Sequence, residues 1–272
     1  MFAGYRKYQA AWYSRFYRRL PAALREGVLD PGFRNFPNLR GTALRDTARL
    51  IQKWGRSASL PPEEQFLMDC TYLDAPQRER LYAAPLRERA RAWDPAAAHR
   101  RLFARTGHAH WLHQLLYVDS HQFLPALNLN YVDKMGMAAS VEVRVPFLDH
   151  TLVEWAANEI PPHLKLSRGR TKHILRRAMA PLLPPEILNQ RKASFGAPVG
   201  RWLEKDLHEM CGDLLGPAQI RRRGWFDPKT VAEMQKQHRS GERVWSLQLW
   251  QLLTLELWCR TFLDRKPAEA IA

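Results

Sequence analysis

The sequence predicts an almost entirely α-helical fold, and three observations carry that expectation. Apolar residues recur three and four positions apart along most of the 272 residues. Prolines and capping residues punctuate these periodic stretches at helix-length intervals. Only residues 141–145 (VEVRV) alternate in the manner of a strand, with Pro146 holding its predecessor extended.

Taken in order, residues 5–20 place Tyr5, Tyr8, Trp12, Phe16 and Tyr17 on one helical face and Arg6, Arg15, Arg18 and Arg19 elsewhere, and Pro21 ends that helix. Residues 30–42 are rich in Gly, Pro and Asn and read as a loop, followed by a helix over 42–54. Pro61 and Pro62 open a segment through Phe66, Leu67 and Cys70, and Ala75-Pro76 starts a short helix. Asp94-Pro95 predicts another start, with Asp as N-cap and Pro at the first helical position. Residues 111–127 read as one apolar helix. Thr151 with Glu154 forms a capping-box pattern, opening a helix that turns Leu152, Trp155, Ala156 and Ile160 inward. Further helices are expected over 170–183, 199–215, 228–238 and 244–263, and residues 266–272 read as a frayed tail. No internal repeat, low-complexity linker or domain boundary interrupts residues 1–265.

Composition narrows the class. An apolar fraction of 46% and a charged fraction of 25% are ordinary for a globular chain, and ten Trp argue for a substantial interior. Three Cys without a C-x-x-C pair imply neither a disulfide framework nor a zinc knuckle, which fits a reducing, cytoplasmic setting. The longest apolar region, 244–263, is broken by Gln248, Gln251, Glu256 and Arg260 and suits a buried helix rather than a membrane span. The net charge is +15, concentrated in residues 1–60 (twelve basic, three acidic) and 161–205 (ten basic, two acidic). Such a field attracts polyanions; coding bias toward Arg would give the same count.

Four stretches could carry chemistry. In residues 133–150 (DKMGMAASVEVRVPFLDH), Asp133, Lys134, Glu142, Arg144 and Asp149 sit among apolar residues, so they either pair structurally or face a polar ligand. In residues 168–177 (RGRTKHILRR), Lys172 and Arg176 lie one helical turn apart, as a phosphate-handling pair or a solvated basic face would. Arg191 and Lys192 precede small residues and Gly196, where a backbone could approach an anion; an interhelical turn looks the same. His108, His110 and His113 suggest a metal, but their spacing suits no single helical face and the next carboxylate is Asp119, so no metal site is assigned. There is no G-x-x-x-x-G-K-[ST], G-x-G-x-x-G, H-E-x-x-H or G-x-S-x-G motif.

Together and in this order, these stretches resemble the asparagine synthetase (glutamine-hydrolysing) family. The family block close to D-[RK]-x-S-M-A-x-S-x-E-x-R-V-P-F-L-D stands here as DKMGMAASVEVRVPFLD, with Gly136 in place of the Ser. A family K-x-x-L-R matches TKHILR at Lys172, RKASFG is similar to R-x-K-x-x-F with its spacing slightly altered, and the opening MFAGY resembles the end of G-G-D-E-[LM]-F-x-G-Y. The resemblance implies a mostly α chain: the helical C-terminal portion of an adenine-nucleotide alpha-hydrolase-like α/β synthetase domain, whose parallel sheet lies largely upstream. It implies a chain cut near the start of that domain, over 1–265, with bare apolar helix faces and no activity alone. It implies ATP-dependent amidation of aspartate through β-aspartyl-AMP, using ammonia from glutamine. ATP is then the nucleotide, Mg²⁺ is held by upstream residues, and a separate chain could carry the glutaminase and pyrophosphate-loop half.

For the residues, the resemblance makes Lys172 the cation for the α-phosphoryl group and pyrophosphate, with Arg191 and Lys192 beside it. It makes Glu142 catalytic and places Asp133, Lys134 and Arg144 at the substrate pocket. Synthetases on the same scaffold that amidate other carboxylates remain an alternative. The basic, aromatic first helix also fits a non-catalytic nucleic-acid-binding protein, but no nucleic-acid motif appears and that partner is not expected.

Overall fold

The computed structural model describes residues 1–34, 36, 42–190 and 197–264. It is 70% helical, with one two-stranded sheet, as the periodicity predicts. The chain divides into two compact units, Met1–Cys70 with Pro95–Arg191 and Thr71–Asp94 with Lys192–Ala272.

In chain order, the helices are α1 (Arg6–Tyr17), α2 (Ala22–Leu24), α3 (Asp30–Arg34), α4 (Thr42–Ser57), α5 (Pro62–Cys70), α6 (Ala75–Leu81), α7 (Ala84–Arg91), α8 (Ala97–Arg105) and α9 (Trp111–His121). Then come α10 (Asn130–Ala138), α11 (His150–Asn158), α12 (Pro162–Lys165), strands β1 (Leu166–Ser167) and β2 (Arg170–Thr171), α13 (His173–Met179) and α14 (Pro185–Asn189). The last five are α15 (Val199–Glu204), α16 (His208–Leu214), α17 (Pro217–Arg223), α18 (Pro228–Ser240) and α19 (Ser246–Phe262).

The first unit is built on α1. Its buried residues Tyr8 and Ala11 join Phe66 of α5, Leu102 and Phe103 of α8, Leu112, Leu115 and Val118 of α9, and Leu166 of β1 in one core. Each fully buried Leu or Phe of this kind contributes about 1.5–3 kcal/mol. Trp54 of α4 donates from Nε1 to Ser14 Oγ at 2.8 Å and packs its ring on Tyr17. Phe16, expected on one face with Tyr17, departs from it: Phe16 is 49% exposed while Tyr17 is buried.

The second unit gathers Leu81, Leu203, Leu214, Ile220, Val231, Met234, Trp245, Leu249 and Leu253 around α19. Buried Glu256 of α19 accepts from Arg223 at 2.8 Å and Arg260 at 2.9 Å, and Arg223 also bridges to Asp264 at 2.6 Å. These bonds tie α17 to α19, and they hold the Glu256 carboxyl low against the burial that would raise it.

Several local expectations are corrected. Residues 141–145 form no strand: alternation specifies a face, but a ladder needs a partner, and none pairs with them among the described residues. The capping-box pattern places the start of α11 too late. Asp149, extended after a 3₁₀ turn at Pro146–Leu148, accepts from Leu152 N at 3.1 Å and is the cap. A true capping box stands at Asp74 and Gln77, opening α6. Helix α8 begins at Ala97, after a turn through Pro95 and Ala96. Residues 111–127 split after α9 into a π-helical segment at Leu124–Leu129 containing Pro125. Residues 199–215 split into α15 and α16, and 170–171 belong to a hairpin rather than to α13.

Candidate functional site

Lys172 stands where the β1–β2 hairpin ends and α13 begins. The hairpin turns through Arg168 (φ 48°) and Gly169 (φ 80°), both left-handed, as a tight two-residue connection between twisted strands requires. Helix α1 fixes this turn. Gln9 Nε2 donates to the Gly169 carbonyl at 2.6 Å, and a Cβ at Gly169 would lie 3.0 Å from the Tyr13 hydroxyl. Leu166 anchors the first strand in the core.

Lys172 then adopts φ 54°, ψ 34°, a left-handed conformation that costs a non-glycine residue roughly 1 kcal/mol or more. Its backbone N–H donates to the Phe2 carbonyl at 3.2 Å, and its stem lies along Gly4. The side chain is half-buried, and among the described residues nothing accepts a hydrogen bond from its ammonium. Arg176, one turn on, is spent on backbone: its Nε donates to Thr171 O at 3.3 Å and its Nη1 to Leu188 O.

The 133–150 stretch reaches the same neighbourhood through one ring contact. Phe2, whose carbonyl holds Lys172, meets Phe147 edge-on at 6.1 Å. Asp133 and Lys134 are exposed on α10. Glu142 and Arg144 are exposed and pair with each other at 2.5 Å. None of these four forms a hydrogen bond or ion pair with Lys172. Arg191 and Lys192 lie outside the described residues.

Gly136, the departure from the family block, has a local reason. Val141 N returns to Gly136 O at 2.8 Å, and a Cβ there would lie 2.7 Å from Val141 O and 2.8 Å from Val143 Cγ2. Around this loop Met135, Met137, Val141, Val143, Val145, Phe147 and Trp155 are all exposed.

The three His do not converge. His108 is exposed, His110 accepts from Leu112 N at 3.2 Å as the α9 cap, and His113 Nε2 lies 3.0 Å from Lys165 Nζ. Among the described residues no group of three His, Cys, Asp or Glu could hold a metal ion. No described helix is long and apolar enough to cross a membrane.

Two features of this unit escape sequence reading. Asp119 is buried, at 2.5 Å from Lys7 Nζ and accepting from Tyr8 Oη. Lys165 is 2% exposed, and among the described residues its amine meets only His113. Burial pushes Lys165 down to about 8 from 10.5, and burial with the neighbouring Lys165 pushes His113 down to about 4 from 6.5.

Between pH 8 and 10.5 the unfolded chain binds more protons than the folded one, so stability rises with pH across that window. Below pH 8 the penalty is fully present. We therefore expect Lys165→Met to stabilise the chain by about 1–3 kcal/mol at pH 7. The advantage should fade as denaturation midpoints are followed from pH 8 to 10.5.

Comparison with known proteins gives the family. The asparagine synthase family profile matches residues 1–260, and the chain belongs to that family. It is 23% identical over 262 residues to asparagine synthetase [glutamine-hydrolyzing] 1 of Bacillus subtilis, covering 95% of this chain and 38% of that protein. It is 27% identical over 282 residues to a putative asparagine synthetase [glutamine-hydrolyzing] of Mycobacterium bovis, covering 100% of this chain and 39% of that protein. Amidase chry2 of Gibberella zeae is 34% identical over 125 residues, 43% of this chain and 18% of the amidase. The chain thus spans about two fifths of the length of the relatives it matches end to end. No solved structure matches it significantly.

Proposed function

We propose that this chain supplies one wall of an ATP-dependent amide-forming site, with aspartate as the acceptor and Lys172 as the cation facing the nucleotide's phosphates. The supporting observation is the state of that lysine. Its backbone is pinned in a strained conformation and its stem is seated, yet among the described residues its ammonium has no acceptor. Such a cation suits a ligand anion.

In the reaction, the side-chain carboxylate of aspartate attacks the α-phosphorus of ATP and pyrophosphate leaves. Ammonia then attacks the acyl carbon of β-aspartyl-AMP and AMP leaves. Charge grows on the phosphoryl oxygens and the departing pyrophosphate in the first step, and a fixed ammonium stabilises it without reorganisation. Glu142 and Arg144 line the acceptor side, with Asp133 and Lys134 bracing it; Arg191 and Lys192 are further candidates for the pyrophosphate. The similarity to an amidase favours one second reading, the same chemistry on another carboxylate.

Two measurements test the proposal. An acyl-phosphate derivative of ATP, in which a nearby amine takes the acyl group and ATP leaves, should modify Lys172 in competition with ATP. Native protein purified from its source, with whatever copurifies, should release pyrophosphate with ATP, ammonia and aspartate. Failure to label residue 172 removes the assigned cation, and turnover only with other carboxylates replaces aspartate by the second reading.

A further inference from the structure

We propose that Gly4 is a positioning residue for Lys172: its missing side chain is the slot along which the lysine stem lies, and this sets where the ammonium stands. The inference rests on the reading of Lys172 as the phosphate-facing cation. A Cβ at Gly4 would fall 2.7 Å from Lys172 Cε, 3.6 Å from Cγ and 3.7 Å from Cδ. Only the first is a clash, and it lies one bond from the amine.

The floor of the slot cannot yield easily. Ala3 is 1% exposed within the core cluster and holds φ 50°, Phe2 is tied to Lys172 N at 3.2 Å, and the Phe2 ring packs on Phe147. The stem, by contrast, is a flexible chain whose far end moves at little cost. A methyl group at position 4 therefore displaces the amine by about 1 Å and leaves the fold intact. A displacement of that size at a phosphoryl-transfer centre reduces rate by up to about 100-fold.

The test uses the full chain as Gly4→Ala, Lys172→Ala and the double variant. The rate of acyl-phosphate labelling at Lys172, ATP affinity and melting temperature are read for each. Gly4→Ala should slow labelling roughly tenfold or more, weaken ATP, and leave the melting temperature nearly unchanged. In the Lys172→Ala background it should change ATP affinity no further.

The outcomes separate cleanly. If Lys172→Ala leaves ATP affinity intact, the reading of Lys172 fails and this inference falls with it. If Lys172→Ala weakens ATP but Gly4→Ala changes neither labelling nor affinity, the positioning role alone is overturned. It is likewise overturned if Gly4→Ala weakens ATP equally without Lys172, or if it unfolds the chain, since either makes Gly4 a structural residue.

Discussion

Replacing Lys172 by methionine is expected to abolish acyl-phosphate labelling at that position and to lower ATP-dependent pyrophosphate release on the order of 100- to 1000-fold. Methionine keeps a long unbranched stem for the Gly4 slot and removes only the charge, so the melting temperature should hold. Arginine restores charge but spreads it over a planar guanidinium too bulky for the slot, and should recover only part of the rate. Glycine at 172 gives the sharpest contrast. The position is left-handed (φ 54°), so glycine relieves the strain and should leave stability unchanged or raise it by up to about 1 kcal/mol. A more stable, inactive protein would mean that the strained lysine is kept for its amine. Methionine with unaltered pyrophosphate release would remove Lys172 from the chemistry.

What the sequence made legible follows from what is local. Helix existence is local: the period of residues 244–263 becomes α19, and the helix expected over 228–238 becomes α18, which Asp227 caps by accepting from Thr230 N at 2.7 Å. Strand pairing is not local, which is why residues 141–145 alternate without a ladder, while the real hairpin has strands of two residues, too short for any period. Lys172 is singled out by the basic helix opening RGRTKHILRR and by the family K-x-x-L-R that TKHILR resembles. Its setting depends on Phe2 and Gly4, some 170 residues away in sequence, and no periodicity joins them. The glycine of MFAGY belongs to a stretch that resembles a family motif, but a missing Cβ gains meaning only where a stem occupies its place. Lys165 was opaque for another reason: a lone lysine after Pro-Pro-His-Leu reads as a solvated end, and its burial is tertiary.

The first unit also depends on a buried carboxylate, Asp119. This carboxylate is 7% exposed, pairs with Lys7 Nζ at 2.5 Å and accepts from Tyr8 Oη. Burial, then the Asp119 charge and hydrogen bond, raise the Tyr8 hydroxyl well above its ordinary value, so it stays a donor. Removing the acid by Asp119→Ala strands the Lys7 ammonium, which keeps the weak acceptor Cys70 Sγ at 3.7 Å and the faces of Phe66 at 4.6 Å, Phe123 at 5.0 Å, Tyr5 at 5.6 Å and Tyr8 at 5.8 Å. Rings of this kind offset about 1–2 kcal/mol, less than a buried unpaired charge loses, and the expected cost is about 3–5 kcal/mol. In thermal melts that is a fall of roughly 10 °C. Asp119→Asn keeps an acceptor for Tyr8 and should cost less. Removing both charges while keeping the acceptor for Tyr8, as Lys7→Met with Asp119→Asn, should recover most of the loss, because no desolvated ion is left unpaired. If the single and double variants are equally unstable, Asp119 acts through packing rather than through its charge.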